Sequence, residues 1–327
     1  MRKRIGLSFF FAGIFAVMLL FFLALCPLYL WSGDLSAKGN ESSRLFGATY
    51  MTMNNPYYQV LDSQLRLEIE AKGDILLTRG AAMSQTRQNE EIADLIEAGV
   101  QAIFLTPVEW NSEEVKKGLE IAKESGIPVI VVDAPVYDTD LVACSVLSDN
   151  YYAGVLCAEH LLSVRDTAKI ILLEHITARS GTERIQGFLE TLADREGFEI
   201  LASGESDGQI ENAMPVMEEL LRQNPNADTV MALNDPSALG ALAAIQGAGL
   251  SGQLLVYGID GSPEAKALVN DQLMTATCAQ FPCELAKTAA VQAYQAIDGG
   301  CAQHEVIIPV ELLTAENVSK YGTDGWQ

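Results

Sequence analysis

The chain has 327 residues, of which 49% are hydrophobic and 20% are charged, so it can bury a sizeable core and is not disordered in bulk. A chain of this length favours two domains. It contains 43 acidic and 21 basic residues and carries a net charge of −22. Such an acidic surface repels phosphates, which argues against a nucleic-acid partner.

The N-terminal segment has the length of a membrane anchor. Residues 5–31 carry no charge and follow Arg2-Lys3-Arg4. A signal peptide has an apolar core of roughly 7–15 residues, whereas a membrane-spanning helix needs about 20. We therefore expect an N-terminal transmembrane helix with the globular part outside the cytoplasm. Cleavage near Ser36-Ala37 and lipidation of Cys26 remain alternatives, and residues 32–43 predict a flexible Gly/Ser-rich tether.

Beyond the tether, strand and helix patterns alternate to the end of the chain. Strands are predicted at 45–52, 74–78, 102–106, 129–133, 144–147, 169–173, 199–203, 229–232, 254–258, 275–280 and 306–312. Helices are predicted between them, among them 90–98, 112–124, 150–162 and a long one at 282–298. Alternation of this kind indicates βαβ units and parallel sheets. The number of strands exceeds one compact sheet, so the sequence predicts an α/β fold in two lobes.

Several predicted strands end on polar residues that can hydrogen-bond a hydroxylated ligand. The first leads into Asn54-Asn55-Pro56-Tyr57-Tyr58, and others end at Thr106, Asp133, Asn234-Asp235 and Asp260. Ligands of open α/β sheets bind outside the carboxyl ends of the strands, so these residues suggest a sugar site. Local roles are the alternative, because Asn and Asp cap helices and Asp-Gly forms turns. We expect Asp235 to be a helix N-cap and Asn234 to contact the ligand.

Motifs for other functions are weak or absent in the sequence. Residues 247–252 match GxGxxG, but they follow a helix and precede a strand, the reverse of a dinucleotide site. His160, His175 and His304 are scattered, so we expect no metal site. With neither a P-loop nor a GxSxG motif, no enzyme and no cofactor is expected.

The cysteines do not form a recognisable framework. Five follow Cys26, and their spacing matches no zinc pattern. Most are expected to be small core residues, although one bridge, for example between Cys144 and Cys157, remains open.

Seven short motifs carry a family resemblance. They are Asn54-Asn55-Pro56-Tyr57-Tyr58, Val131-Val132-Asp133, Ser148-Asp149-Asn150, Arg184-Ile185-Gln186-Gly187-Phe188, Leu233-Asn234-Asp235-Pro236, Gly258-Ile259-Asp260-Gly261 and Ala279-Gln280. In this order over residues 45–313, they resemble the type I periplasmic solute-binding proteins, specifically the ribose-binding-protein-like sugar binders. The resemblance implies two Rossmann-like lobes with parallel sheets, joined by three hinge crossovers near 147–149, Gln280 and 309–312. The N-terminal lobe would comprise 44–148 plus 281–310, and the C-terminal lobe 149–280 plus 311–327.

The resemblance also implies the ligand-binding residues. From the two lobes and the hinge these would be Asn55, Tyr57, Tyr58, Asp133, Arg184, Asn234, Asp260 and Gln280. Carboxylates and Arg make charge-assisted bonds to hydroxyls, and an aromatic face covers the C–H side of a sugar ring.

Departures from the family pattern put ribose in doubt as the best ligand. Ala134 stands where Arg is common, Thr106 where Asn is common and Gly208 where an aromatic residue is common. We expect Thr106 to line the site and Trp110 to fill the space left at Gly208. Ribose is then not expected to bind most tightly.

The expected function is that of an extracytoplasmic, membrane-anchored sugar-binding protein. It would close its lobes around a monosaccharide and present it to an ABC importer permease. The alternative is a sensor whose closed form signals to a histidine kinase. Sugar-responsive DNA repressors resemble this fold as well, but the N-terminal apolar segment and the acidic charge argue against that class.

Overall fold

The structure is a computed structural model that describes residues 43–300 and 303–327. The expected transmembrane helix at 5–31, and all but the last residue of the expected tether, lie outside the described residues. Within the described residues, no helix combines the length and the apolar character needed to cross a membrane. Residues 44–327 form one compact unit.

Strands and helices alternate through this unit. The strands are β1 (Leu45–Tyr50), β2 (Ile75–Gly80), β3 (Ala102–Leu105), β4 (Val129–Asp133), β5 (Cys144–Ser148), β6 (Ala168–Glu174), β7 (Phe198–Glu205), β8 (Thr229–Ala232), β9 (Leu255–Asp260), β10 (Ala276–Ala279), β11 (Glu305–Ile308) and β12 (Glu311–Thr314). The helices are α1 (Pro56–Glu70), α2 (Gln85–Glu97), α3 (Glu113–Glu124), α4 (Asn150–Val164), α5 (Arg179–Leu192), α6 (Ile210–Gln223), α7 (Asp235–Gly247), α8 (Pro263–Asn270) and α9 (Pro282–Ile297). Short 3-10 helices lie at Thr139–Leu141 and Val318–Lys320.

The strands form two six-stranded sheets with matching strand order. The first is β11-β5-β4-β3-β1-β2 and the second is β12-β10-β9-β8-β6-β7. All pairings are parallel except that of β10 with β12, which is antiparallel. We call the layers around the first sheet the N-lobe and those around the second sheet the C-lobe. This two-lobe α/β architecture agrees with the predicted fold class.

Both faces of each sheet are buried under helices. In β3, Phe104 packs in the core under α1 and α9, whereas Ile103 and Leu105 pack under α2 and α3. The C-lobe sheet is covered in the same way by α4 and α5 on one face and by α6, α7 and α8 on the other. Two-sided burial explains the nearly continuous apolar strands of the sequence. Cys144 and Cys157 are buried free thiols in different cores, so no bridge joins them.

The predicted final strand at 306–312 is two strands rather than one. β11 pairs with β5 in the N-lobe, and β12 pairs with β10 in the C-lobe. They are separated by Pro309 and Val310. Proline has no N–H for a sheet ladder, so the chain leaves the first sheet there and joins the second. It also crosses between the sheets after β5 and after β10.

Two glycines bring α4 and α5 into backbone contact. A Cβ on Gly154 would lie 1.8 Å from the carbonyl oxygen of Arg184, and a Cβ on Gly187 would lie 2.0 Å from that of Tyr151. Only a residue without a side chain fits at either position. This contact fixes α5, and with it the backbone of Arg184, against the rest of the C-lobe.

Candidate functional site

A cavity that opens to solvent lies between the lobes at the carboxyl ends of the strands. Eight of the residues singled out from the sequence line it: Asn55, Tyr57, Tyr58, Asp133, Arg184, Asn234, Asp260 and Gln280. The location is the one expected for ligands of open α/β sheets.

The N-lobe wall is built by the start of α1. The Asn55 side chain accepts a hydrogen bond from the backbone N–H of Tyr57 at 2.9 Å, and Pro56 occupies the first turn of the helix. Asn55 therefore caps the helix and also lines the cavity. The rings of Tyr57 and Tyr58 meet edge to face, with centroids 5.5 Å apart, and are almost fully buried. They give the cavity a rigid aromatic wall.

Asp133 offers an unused acceptor to the cavity. Its side chain is buried, and the Tyr58 hydroxyl donates to Oδ2 at 3.1 Å. The other carboxylate oxygen, Oδ1, is buried without a hydrogen-bond partner. Burial raises the pKa of this carboxyl group, and nearby Arg184 opposes the rise. A buried acceptor without a partner is costly, so the site favours a ligand that donates a hydrogen bond here.

The two carboxylates that end central strands have strained backbones. The φ angle is +75° at Asp133 and +146° at Asp260. Such conformations in residues other than glycine cost about 1–3 kcal/mol each and cluster at functional sites. β4 and β9, which end in these residues, occupy the same position in the two sheets.

Arg184 is the buried cation of the C-lobe wall. Its side chain is 5% exposed, and Nε donates to Asn150 Oδ1 at 2.8 Å. Nη1 donates to the carbonyl oxygen of Leu233 at 3.1 Å and lies 3.7 Å from Asp260 Oδ1. Arg184 was expected from the sequence only by resemblance, since a helical Arg is usually solvated. Here its guanidinium is held in one orientation beside the cavity.

Asp260 and Asp235 form a buried pair of carboxyl groups. Gln280 Nε2 donates to Asp260 Oδ1 at 2.7 Å, and Thr277 donates to Asp235 Oδ1 at 2.7 Å. Burial raises the pKa of Asp235 to about 6. Burial and then the neighbouring Asp235 raise the pKa of Asp260 well above its ordinary value.

This pair predicts that the ligand-free protein loses stability as the pH rises. The folded state holds protons on these carboxyls more tightly than the unfolded chain, where the pKa is about 3.9. Folding then takes up protons, so the contribution is full below about pH 4 and is lost as the pH rises through about 6. Thermal unfolding between pH 4.5 and 7.5 should show this fall in melting temperature.

The matched variant is Asp260→Asn, which removes one of the two charges. It should flatten the pH dependence, whereas Asp94→Asn on the exposed face of α2 should not. An unchanged slope in Asp260→Asn would show that the pair does not cause the effect.

The structure corrects the expected role of Asp235, and it gives Asn234 a capping role besides its place in the cavity wall. Asn234 is the N-cap of α7, because its Oδ1 accepts from the backbone N–H of Ser237 at 3.0 Å. Its Nδ2 also donates to the carbonyl oxygen of Gly208 at 3.0 Å in the cavity wall. Asp235 is the first helical residue, and its side chain points to Thr277 and Ser262 instead of capping.

Thr106 does not line the cavity. Its hydroxyl donates to the carbonyl oxygen of Val132 at 3.1 Å, and its own carbonyl accepts from Gln88 Nε2 at 2.9 Å. The hydroxyl is thus hydrogen-bonded within the N-lobe, where it links the ends of β3 and β4. The expectation that it contacts the ligand is corrected accordingly.

Trp110 does not fill the space beside Gly208 either. Its ring packs edge-on against Tyr137 with centroids 6.1 Å apart. The guanidinium carbon of Arg179, from the C-lobe, lies 5.0 Å from the Trp110 ring centroid. Trp110 therefore makes a cation–π contact between the lobes, outside the residues that line the cavity.

Sequence reasoning missed several lining residues, of which His175 is the most informative. Burial lowers the pKa of this histidine, so its ring is neutral at pH 7. His175 Nε2 is hydrogen-bonded with Thr177 Oγ1 at 2.9 Å, and Nδ1 lies 3.6 Å from the place of a Cβ on Gly208. His175 directly follows β6. A search for polar residues at the ends of predicted strands would have identified it if that strand had been included. The other missed lining residues are Met51, Ala178, Ser180, Gln209 and Leu233, whereas the position of Asp207 and Gly208 at the site agrees with the expectation from the sequence.

The side chains of the described residues do not indicate a metal-binding site. In residues 43–300 and 303–327, no group of three or more His, Cys, Asp or Glu side chains is placed to hold a metal ion.

Residues 46–301 match the family described as the periplasmic binding protein domain, and the chain belongs to this family. The resemblance to type I periplasmic sugar-binding proteins is thereby confirmed. Members of the family are solute-binding proteins, so the expectation that the chain is not an enzyme is confirmed as well.

Among the relatives is the ribose import binding protein RbsB of Bacillus subtilis, 31% identical over 90% of this chain and 95% of the relative. The ribose import binding protein RbsB of Escherichia coli is 29% identical over 81% of this chain and 88% of the relative. A solved ABC transporter solute-binding protein from Mycobacterium smegmatis with bound glycerol is 27% identical. It superimposes with a TM-score of 0.81 over 87% of this chain and 99% of its own.

Proposed function

We propose that the chain is an extracytoplasmic sugar-binding protein that closes its two lobes around a monosaccharide and presents it to an ABC importer. Family membership supports the solute-binding class, and the named relatives are import binding proteins. These relatives favour the importer over the sensor alternative. We also propose that the lobes meet at the three crossovers, with boundaries near residues 148, 280 and 310, and that residues 5–31 anchor the protein to the membrane.

The observation that carries this proposal is the composition of the cavity between the lobes. It combines two buried carboxylates and one guanidinium with two tyrosine rings. The carboxylates accept and the guanidinium donates hydrogen bonds to hydroxyls, while the rings cover C–H faces. The lining comes from both lobes, so a ligand bound there stabilises their approach.

The binding test is a calorimetric panel on the full chain with ribose, xylose, arabinose, galactose, glucose and inositol. We expect at least one of these to bind and to raise the melting temperature. Ribose is not expected to bind most tightly, because Ala134 and Gly208 stand where the family often has Arg and an aromatic residue, so one charged donor and one stacking face are missing. Ribose as the tightest ligand would contradict this specificity and leave the class unchanged.

Asp133→Ala provides the matched test of the site. It should weaken binding of the best sugar by about 1.5–3 kcal/mol, the range for hydrogen bonds to charged groups. Asp94→Ala, on the exposed face of α2, should bind as the parent does. Equal binding by Asp133→Ala and the parent would place the sugar elsewhere.

A further inference from the structure

A second cavity adjoins the first. It opens to solvent and has a volume of about 270 Å³. Asn55, Gln209 and Asp260 line both cavities, so the two share a wall. We call the first the inner cavity and the second the outer cavity.

The outer cavity differs from the inner one in chemistry. Its apolar lining comes from both lobes and consists of Pro56, Ile210, Pro236, Leu239 and Trp326. Ile210 is 47% exposed, and contact of a large apolar side chain with water is unfavourable. Small-molecule sites likewise combine apolar side chains with polar groups that orient the ligand.

Trp326 forms a fixed wall of the outer cavity. Its ring packs edge-on against Tyr57 of the inner cavity, with centroids 5.6 Å apart. The neighbouring residues are held to the C-lobe, because Lys266 Nζ donates to the carbonyl oxygen of Gly325 at 2.6 Å. Gln327 Nε2 donates to that of Asp260 at 3.0 Å. One side of the Tyr57–Trp326 pair thus faces the inner cavity and the other side faces the outer cavity.

We propose that the outer cavity binds an apolar substituent of the sugar, so that the preferred ligand is a glycoside with an alkyl or aryl group. The proposal rests on the sugar-binding function of the inner cavity. The shared residues place the substituent beside the sugar, and the apolar lining selects its chemistry. Glu211 and Glu264 lie at the same cavity and disfavour an anionic substituent such as a phosphate or a carboxylate.

The test compares a free sugar with its glycosides by calorimetry on the full chain. The sugar is the tightest binder of the panel, used free and as the methyl and phenyl glycosides of both anomers. For one anomer, the phenyl glycoside should bind at least tenfold more tightly than the methyl glycoside. Ile210→Asp and Leu239→Asp should reduce this ratio below threefold while leaving the affinity for the free sugar within twofold. Both side chains line the outer cavity and not the inner one.

A matched control is Leu67→Asp on the outer surface of α1, where the side chain is 63% exposed. It should leave the ratio unchanged. If the free sugar binds but no phenyl glycoside binds better than its methyl counterpart, the proposal is wrong and the proposed function stands. If no sugar in the panel binds, the proposed function fails and this proposal fails with it.

Discussion

Replacing Gly154 with alanine is expected to lower the free energy of unfolding by about 3 kcal/mol, at the upper end of the cost of overpacking. The new Cβ would lie 1.8 Å from the carbonyl oxygen of Arg184 and 2.8 Å from the backbone N of Phe188. Backbone atoms cannot turn aside as a flexible side chain can, so α4 and α5 must separate. Because the displaced carbonyl belongs to Arg184, sugar affinity should fall together with stability.

Thermal unfolding checks this result, with an expected fall in melting temperature of roughly 6–12 °C. The matched control is Gly247→Ala at the end of α7, where a Cβ would meet no atom within 4 Å. That substitution should be neutral or slightly stabilising, because alanine restricts the unfolded chain more than glycine does. A melting temperature for Gly154→Ala within 2 °C of the parent would contradict the close contact of the two helices.

Replacing Arg184 with methionine should weaken binding of the best sugar about 100-fold, or ~2.8 kcal/mol at 1.4 kcal/mol per tenfold. Methionine keeps much of the side-chain volume but removes both hydrogen bonds and the charge. Asp133 and Asp260 would then be buried without their cation, and breaking a buried pair in this way is strongly unfavourable. The ligand would also lose its charged donor.

Calorimetry on Arg184→Met, Arg184→Lys and Arg195→Met separates these effects. Lysine keeps the charge but cannot reproduce the geometry of a guanidinium that bonds both Asn150 and Leu233, so binding should be intermediate. Arg195 is exposed beyond the end of α5, and its variant should bind as the parent does. A Kd for Arg184→Met within threefold of the parent would remove Arg184 from the binding site.

Most strands of the fold were predictable because burial on both faces leaves continuous apolar runs. The prediction at 129–133 coincides with β4, and that at 229–232 with β8. The end of the chain was harder to predict, because one apolar run contains both β11 and β12. The two strands are separated at Pro309 and belong to different sheets. A sequence pattern shows where a strand can form, but not which of two edges it joins.

The candidate site was predictable where a polar residue ends a strand and has no partner nearby in sequence. Asp133 and Asp260 fit that rule. Thr106 fits it too, yet its hydroxyl donates to the carbonyl oxygen of Val132. That contact depends on which strands are neighbours and not on the local sequence. Trp110 was misplaced because only the folded chain brings Arg179 against it. His175 was missed although β6 occupies the place in the second sheet that β1 occupies in the first.

The unusual backbone at Asp133 and Asp260 sets two evolutionary pressures against each other. Glycine adopts positive φ without steric cost, so relief of backbone strain alone would favour glycine at both positions. Neither substitution would keep an acceptor for the ligand, however. A related protein with glycine at these two strand ends is therefore expected to have lost the ligand that the aspartates bind.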